Sequence, residues 1–103
     1  MSTWTRVASL DDFAASDAIE VAAGERRIAL FLVDGAVFAT GARCTHGDAA
    51  LCDGFVDGHE IECPLHQGRF DVRTGAATGP PAETQLASYP ARLAGDQVEL
   101  GLD

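Results

Sequence analysis

Three apolar runs in this chain are each broken by a two-residue turn, and that pattern restricts the fold more than any other feature. In RIALFLVDGAVFAT the break is Asp34-Gly35, in GFVDGHEIEC it is Asp57-Gly58, and in YPARLAGDQVEL it is Gly95-Asp96. Asp and Gly tolerate the positive φ angles of tight hairpin turns, so each break is expected to join two antiparallel strands. A further strand is expected to end over Asp71–Arg73, ahead of a turn at Thr74-Gly75. The one helical candidate runs from Leu10 to Ala15, opened by Asp11-Asp12, and is short enough to be a single turn. Repeated short strands with glycine turns predict an all-β fold, an antiparallel β-sandwich or barrel. With 103 residues the chain is expected to form one domain, residues 1–103, large enough to bury a core without disulfides.

Charge and composition exclude several function classes. The net charge is -9, and every basic residue is an arginine. The acidity is spread evenly: residues 1–42, 43–73 and 74–103 are each three units negative. Phosphate binding needs a basic patch, and none is visible, so nucleic acid is not an expected partner. An even negative surface serves solubility, or steers the chain toward basic partner surfaces. No apolar run is long enough to span a membrane, and MSTWTRVASLDDF lacks the features of a signal peptide, so the expected location is the cytoplasm. Three cysteines with no export signal argue against a disulfide framework. No acid/base pair, nucleophile, phosphate loop or dinucleotide fingerprint stands out.

Two glycine-bearing stretches differ from the strands around them: GARCTHGDAALCDG at 41–54 and CPLHQG at 63–68. Together they give C-x-H, sixteen intervening residues, then C-x-x-H. Cys44, His46, Cys63 and His66 are thus two matched ligand pairs in a chain with three cysteines and three histidines. A hairpin between the pairs could bring them side by side. Two cysteines and two histidines can hold tetrahedral zinc, although zinc fingers group like ligands together and space them more widely. Alternating pairs suit a two-metal centre better, because each loop can send its cysteine to one iron and its histidine to the other.

On these residues the chain resembles the Rieske ferredoxins. CTHGDAAL and ECPLHQGRFDV are similar to the two cluster-binding boxes of that family, and the likeness continues through TGAATGPP and YPARLAGDQVEL. The resemblance is strongest to the small ferredoxins of bacterial aromatic-ring dioxygenases of the naphthalene and salicylate type. It implies a Rieske fold in which a small cluster-binding subdomain of two loops, about 41–81, is inserted in a β base. It implies one [2Fe–2S] cluster, with Cys44 and Cys63 on the inner iron and His46 and His66 on the outer iron, near the surface. Gly47 and Gly68 would let backbone N–H groups approach, and Pro80 and Pro81 would cover the centre. The implied function is one-electron transfer from an NAD(P)H-dependent flavin reductase to a terminal oxygenase with Rieske and mononuclear iron centres. The chain itself would be no enzyme, and is expected to act as a monomer. The alternative within the same fold is a Rieske-type small subunit of another oxidoreductase, such as a nitrite reductase.

Replacing two thiolates by neutral imidazoles removes negative charge from a cluster and raises its potential. High-potential relatives add a disulfide between the boxes and hydroxyl donors after the second box. Here the matching positions are Ala49, Leu65, Gly68 and Phe70, so the expected potential is at the low end of the Rieske range, roughly -150 mV. Cys52 is expected to be a packing residue or free thiol, His59 a surface turn residue, and Trp4 and Tyr89 core or edge packing. Phe55 and Phe70 flank the ligand loops, as water shields or as ordinary core.

Overall fold

A computed structural model describes residues 4–43, 50–64, 68–79 and 85–101. The described residues form three antiparallel sheets and two single turns of 3-10 helix. The strands are β1 (Trp4–Ser9), β2 (Ala18–Ala23), β3 (Arg26–Val33), β4 (Ala36–Gly41), β5 (Phe55–Asp57) and β6 (Glu60–Glu62). They continue as β7 (Arg69–Asp71), β8 (Ala77–Gly79), β9 (Ser88–Tyr89), β10 (Ala91–Ala94) and β11 (Gln97–Gly101). The sheet orders are β1-β11-β10, β2-β3-β4-β9 and β5-β6-β7-β8.

The expected turns are present. Val33 pairs with Ala36 across Asp34-Gly35, at φ 52° and 79°, the double positive φ for which an Asp-Gly pair is suited. Ala94 pairs with Gln97 across Gly95-Asp96. In the β5–β6 hairpin Asp57 pairs with Glu60, so the turn is Gly58-His59, one residue beyond the expected pair. The strand before Thr74 stops at Asp71, and residues 72–74 are already turn. The helical segment is a single 3-10 turn, Leu10–Phe13. Asp12 accepts the Ser9 backbone N–H at 2.9 Å, which closes the start of that turn.

β3 organises the packing. Its run IALFLV is apolar without alternation, the pattern of a strand buried on both faces. Ile28 and Leu30 point into one core with Ala8, Phe13, Val37, Ala39, Val98 and Leu100. Ala29, Phe31 and Val33 point into a second core with Leu51, Ile61, Cys63, Phe70, Val72 and Leu86. The first core joins the β1-β11-β10 sheet to the central sheet. The second joins the central sheet to β5-β6-β7-β8. Each fully buried Leu, Ile or Phe contributes about 1.5–3 kcal/mol of hydrophobic stabilisation.

The β5–β8 sheet is built entirely from sequence between β4 and β9, and those two strands pair with each other. Thr40 lies opposite Ser88, and Gly41 N–H donates to the Ala87 carbonyl at 2.9 Å. The chain therefore leaves the central sheet and returns to it at one place. Two glycines make this section compact. A Cβ on Gly54 would run into the Glu62 carbonyl oxygen, and one on Gly75, at φ +82°, into the Leu86 carbonyl oxygen.

Candidate metal centre

The described residues that flank each candidate-ligand stretch are pinned to one another. At the first, Arg43 and Ala50 form an antiparallel bridge, and Leu51 N–H donates to the Ala42 carbonyl at 2.8 Å. A 3-10 turn, Leu51–Asp53, follows directly and buries Leu51. At the second, Cys63 N–H donates to the Gly68 carbonyl at 2.7 Å. That bond extends the β6–β7 ladder one step past the Glu62–Arg69 pair. Across each stretch the described residues on the two sides are held together, Arg43 with Ala50 and Cys63 with Gly68.

Cys63 is fully buried in the core that contains Phe31, Leu51, Ile61 and Phe70. A thiol there is shielded from water, as an inner thiolate ligand requires. Gly68 is also buried, consistent with a backbone that must pass close to a bound group. Cys44, His46, Gly47 and Ala49 lie outside the described residues, as do Leu65, His66, Pro80 and Pro81. Of the four candidate ligands only Cys63 lies among the described residues, together with the residues that flank both stretches. What is described fits a buried metal–sulfur centre: a water-free cysteine at the root of one loop, and a second loop rooted on Leu51 of the same core.

The remaining singled-out residues divide. Phe70 is completely buried and belongs to the Cys63 core. Phe55 is 62 % exposed, which overturns the core reading for that position. On β5 it shares a face with Asp57, whereas its neighbour Val56 packs inward. His59 is only half-buried, its ring edge-on to Phe38 at 5.8 Å, and its carbonyl accepts the Val72 N–H at 2.8 Å. Cys52 is partly buried against the Cys63 core; burial pushes its thiol pKa up, and the charges of Asp53 and Glu20 push the same way. Trp4 sits on β1 beneath the Arg92 guanidinium, 4.1 Å from the ring centre. Tyr89 packs against the first core.

One group in this region was passed over in the sequence. Arg69, next to Gly68, contacts Asp57, Glu60 and Glu62 at 3.0, 3.1 and 3.0 Å. The signal was there: EIE and RFD alternate charged and apolar residues, which puts their charges on one face of paired strands. Nearby, the Arg73 guanidinium holds the Asp71 carboxyl below the usual carboxylate range, against an opposing effect of burial.

The family model for the Rieske [2Fe-2S] domain matches residues 3–90. The chain belongs to the Rieske [2Fe–2S] family. Among Rieske relatives, the ferredoxin component of the naphthalene 1,2-dioxygenase/salicylate 5-hydroxylase systems of a Ralstonia species is 44 % identical over 100 residues, covering 97 % of this chain and 96 % of that one. Among solved Rieske structures, the ferredoxin of carbazole 1,9a-dioxygenase from Nocardioides aromaticivorans superposes with a TM-score of 0.90 at 33 % identity, covering 99 % of this chain and all of that one. A structure described as a complex of reduced oxygenase and oxidised ferredoxin in carbazole 1,9a-dioxygenase matches with a TM-score of 0.86 at 30 % identity, covering 98 % of this chain and 94 % of that one. The cofactor of a Rieske domain is a [2Fe–2S] cluster, so the zinc alternative drops out. Among the described residues, no helix is long and apolar enough to cross a membrane.

Proposed function

We propose that this protein is a one-electron carrier, not an enzyme: it accepts electrons from an NAD(P)H-dependent flavin reductase and passes them to the Rieske centre of a terminal aromatic-ring-hydroxylating oxygenase. The observation that carries this is the 44 % identity, over nearly all of both chains, to a dioxygenase-system ferredoxin component. A [2Fe–2S] cluster, when bound, takes up and releases a single electron. Cys44 and Cys63 would hold the inner iron, and His46 and His66 the outer one. The segment of about 41–81 is read as the cluster-binding unit, inserted in a β base within a single domain of residues 1–103.

The chain's own contribution is to bury, orient and expose. The core around Cys63 excludes water from the thiolate side. Neutral imidazoles at positions 46 and 66 would keep the centre less negative than an all-cysteine one. Their exposed edges would be where the electron leaves, so docking is brief and the interface small and polar. The net charge of -9 speeds encounter with basic partner faces. The protein works as a monomer in the cytoplasm on this reading, with one face presented to two partners in turn.

The test combines EPR of the dithionite-reduced protein with iron and sulfide assays on the same sample, followed by NADH-driven turnover with a flavin reductase and an oxygenase. A rhombic signal at the low average g of histidine-ligated clusters, equal iron and sulfide, and a potential of roughly -150 mV are expected. A cluster-free protein, or a cluster that passes no electrons to any oxygenase but co-purifies with a large reductase subunit, would overturn the carrier reading.

A further inference from the structure

Arg69 touches every strand of the β5-β6-β7-β8 sheet. Its backbone is in β7. Its Nη1 donates to Asp57 Oδ2 on β5 and Glu60 Oε1 on β6, and its Nη2 donates to Glu62 Oε1 on β6. Its stem lies on β8, where a Cβ built on Gly79 would sit 3.1, 3.4 and 3.6 Å from its Cβ, Cγ and Cδ. The register shift in the β7–β8 pair falls between Arg69 and Phe70, so the sheet is irregular at the residue that crosses it.

Its place in the ladder gives this crossing a consequence. Glu62 and Arg69 are direct cross-strand partners, and the next rung is the Cys63 N–H to Gly68 carbonyl bond. The Arg69–Glu62 pair is therefore the last side-chain rung beneath the loop that contains Cys63 and His66. An ordinary exposed ion pair matches one cation to one anion and contributes little. Here one planar guanidinium satisfies three carboxylates, which would repel one another across β5 and β6 without it.

We propose that Arg69 is a positioning residue for the iron–sulfur centre: by tying Asp57, Glu60 and Glu62 together one rung below the Cys63–Gly68 bond, it holds Cys63 in place and offsets negative charge close to the cluster. This rests on the ligand assignment of the electron-carrier reading, through Cys63 and His66.

The experiment follows iron release to a chelator and the reduction potential in the reconstituted full chain, for wild type, Arg69→Met, Arg69→Lys and Arg73→Gln. Arg69→Met keeps the stem and loses the charge. It is expected to release iron about tenfold faster, the scale of supporting-residue losses at metal sites, and to have a lower potential. Arg69→Lys restores the charge without the planar fork, so the potential should return while iron release stays fast. Arg73→Gln breaks a pair confined to one turn, with Asp71, and should leave iron release unchanged. If Arg69→Met matches wild type in both readouts, the proposal fails while the carrier reading stands. If Arg69→Met does not fold, Arg69→Lys decides, and iron release equal to wild type overturns the proposal. If wild type itself takes up no cluster, the ligand assignment fails first.

Discussion

Leu30 and Phe31 are neighbours on β3, both completely buried, yet they belong to different cores. Truncating each to alanine should therefore produce similar losses of stability and different effects on the cluster. For a buried leucine the loss is about 2–5 kcal/mol and for a buried phenylalanine about 3–5 kcal/mol, from lost transfer energy plus the cavity left behind. Such a loss is a large part of the about 5–15 kcal/mol by which domains are stable, so both variants should fold but melt early. A 3 kcal/mol loss in a chain of this size lowers Tm by about 10–25 °C. The assay is thermal melting by circular dichroism, paired with chelator-driven bleaching of the visible chromophore at a fixed interval below each variant's own Tm. Phe31→Ala opens the core that holds Cys63 and should bleach faster than wild type. Leu30→Ala opens the other core and should bleach at the wild-type rate. Equal bleaching in the two variants would refute the division into two cores, and a Leu30→Ala variant as stable as wild type would refute its burial.

Three further outcomes follow from particular residues. Gly54→Ala should destabilise by about 1–3 kcal/mol or more through collision with the Glu62 carbonyl, whereas Gly41→Ala, with open space around it, should be close to neutral in the same melts. Asp71 has its pKa lowered in the folded state, so its pairing with Arg73 stabilises fully above the unfolded carboxyl value, about pH 4, and is lost as pH falls through the lower folded value; NMR titration of the carboxyl should show this, and Asp71→Asn should flatten stability over that window. Cys52 has its thiol pKa raised by burial, so it should alkylate slowly at neutral pH, and Cys52→Ala should leave iron and sulfide content unchanged.

Legibility in the sequence followed the locality of the cause. The turns at Asp34-Gly35 and Gly95-Asp96 were readable because two residues dictate their backbone angles. The β2–β3 hairpin escaped notice. It turns at Gly24-Glu25, without the Asp-Gly signature, and its strand AIEVAA is half alanine, a weak strand former. For Phe55 the sequence leaves a water shield and ordinary core both open, because it stands beside Val56 in an apolar-looking run, and its exposure removes the core alternative. Its direction depends on the β5–β6 register, which places Phe55 opposite Glu62 and Val56 opposite Ile61. The four ligand candidates were visible as a spacing pattern. The burial of Cys63 against Phe31 and Leu51 was not, because it depends on contacts between distant strands. The Arg69 cluster lay between these cases: its alternation is local, but its convergence on three carboxylates requires the sheet.

The allocation of residues to the two cores also sets an order of assembly during synthesis. Every residue of the core around Cys63, from Ala18 to Leu86, has been polymerised before Val98 and Leu100, which the other core needs. A chain made from its N-terminus at about 5–20 residues per second therefore adds the last residue of the cysteine-bearing core, Leu86, on the order of a second before it adds β11. β1 must wait longest, since its pairing joins Trp4 to Gly101. The core around Cys63 is thus complete in sequence before β11 exists, whereas the other core needs both ends of the described chain, β1 and β11, at once.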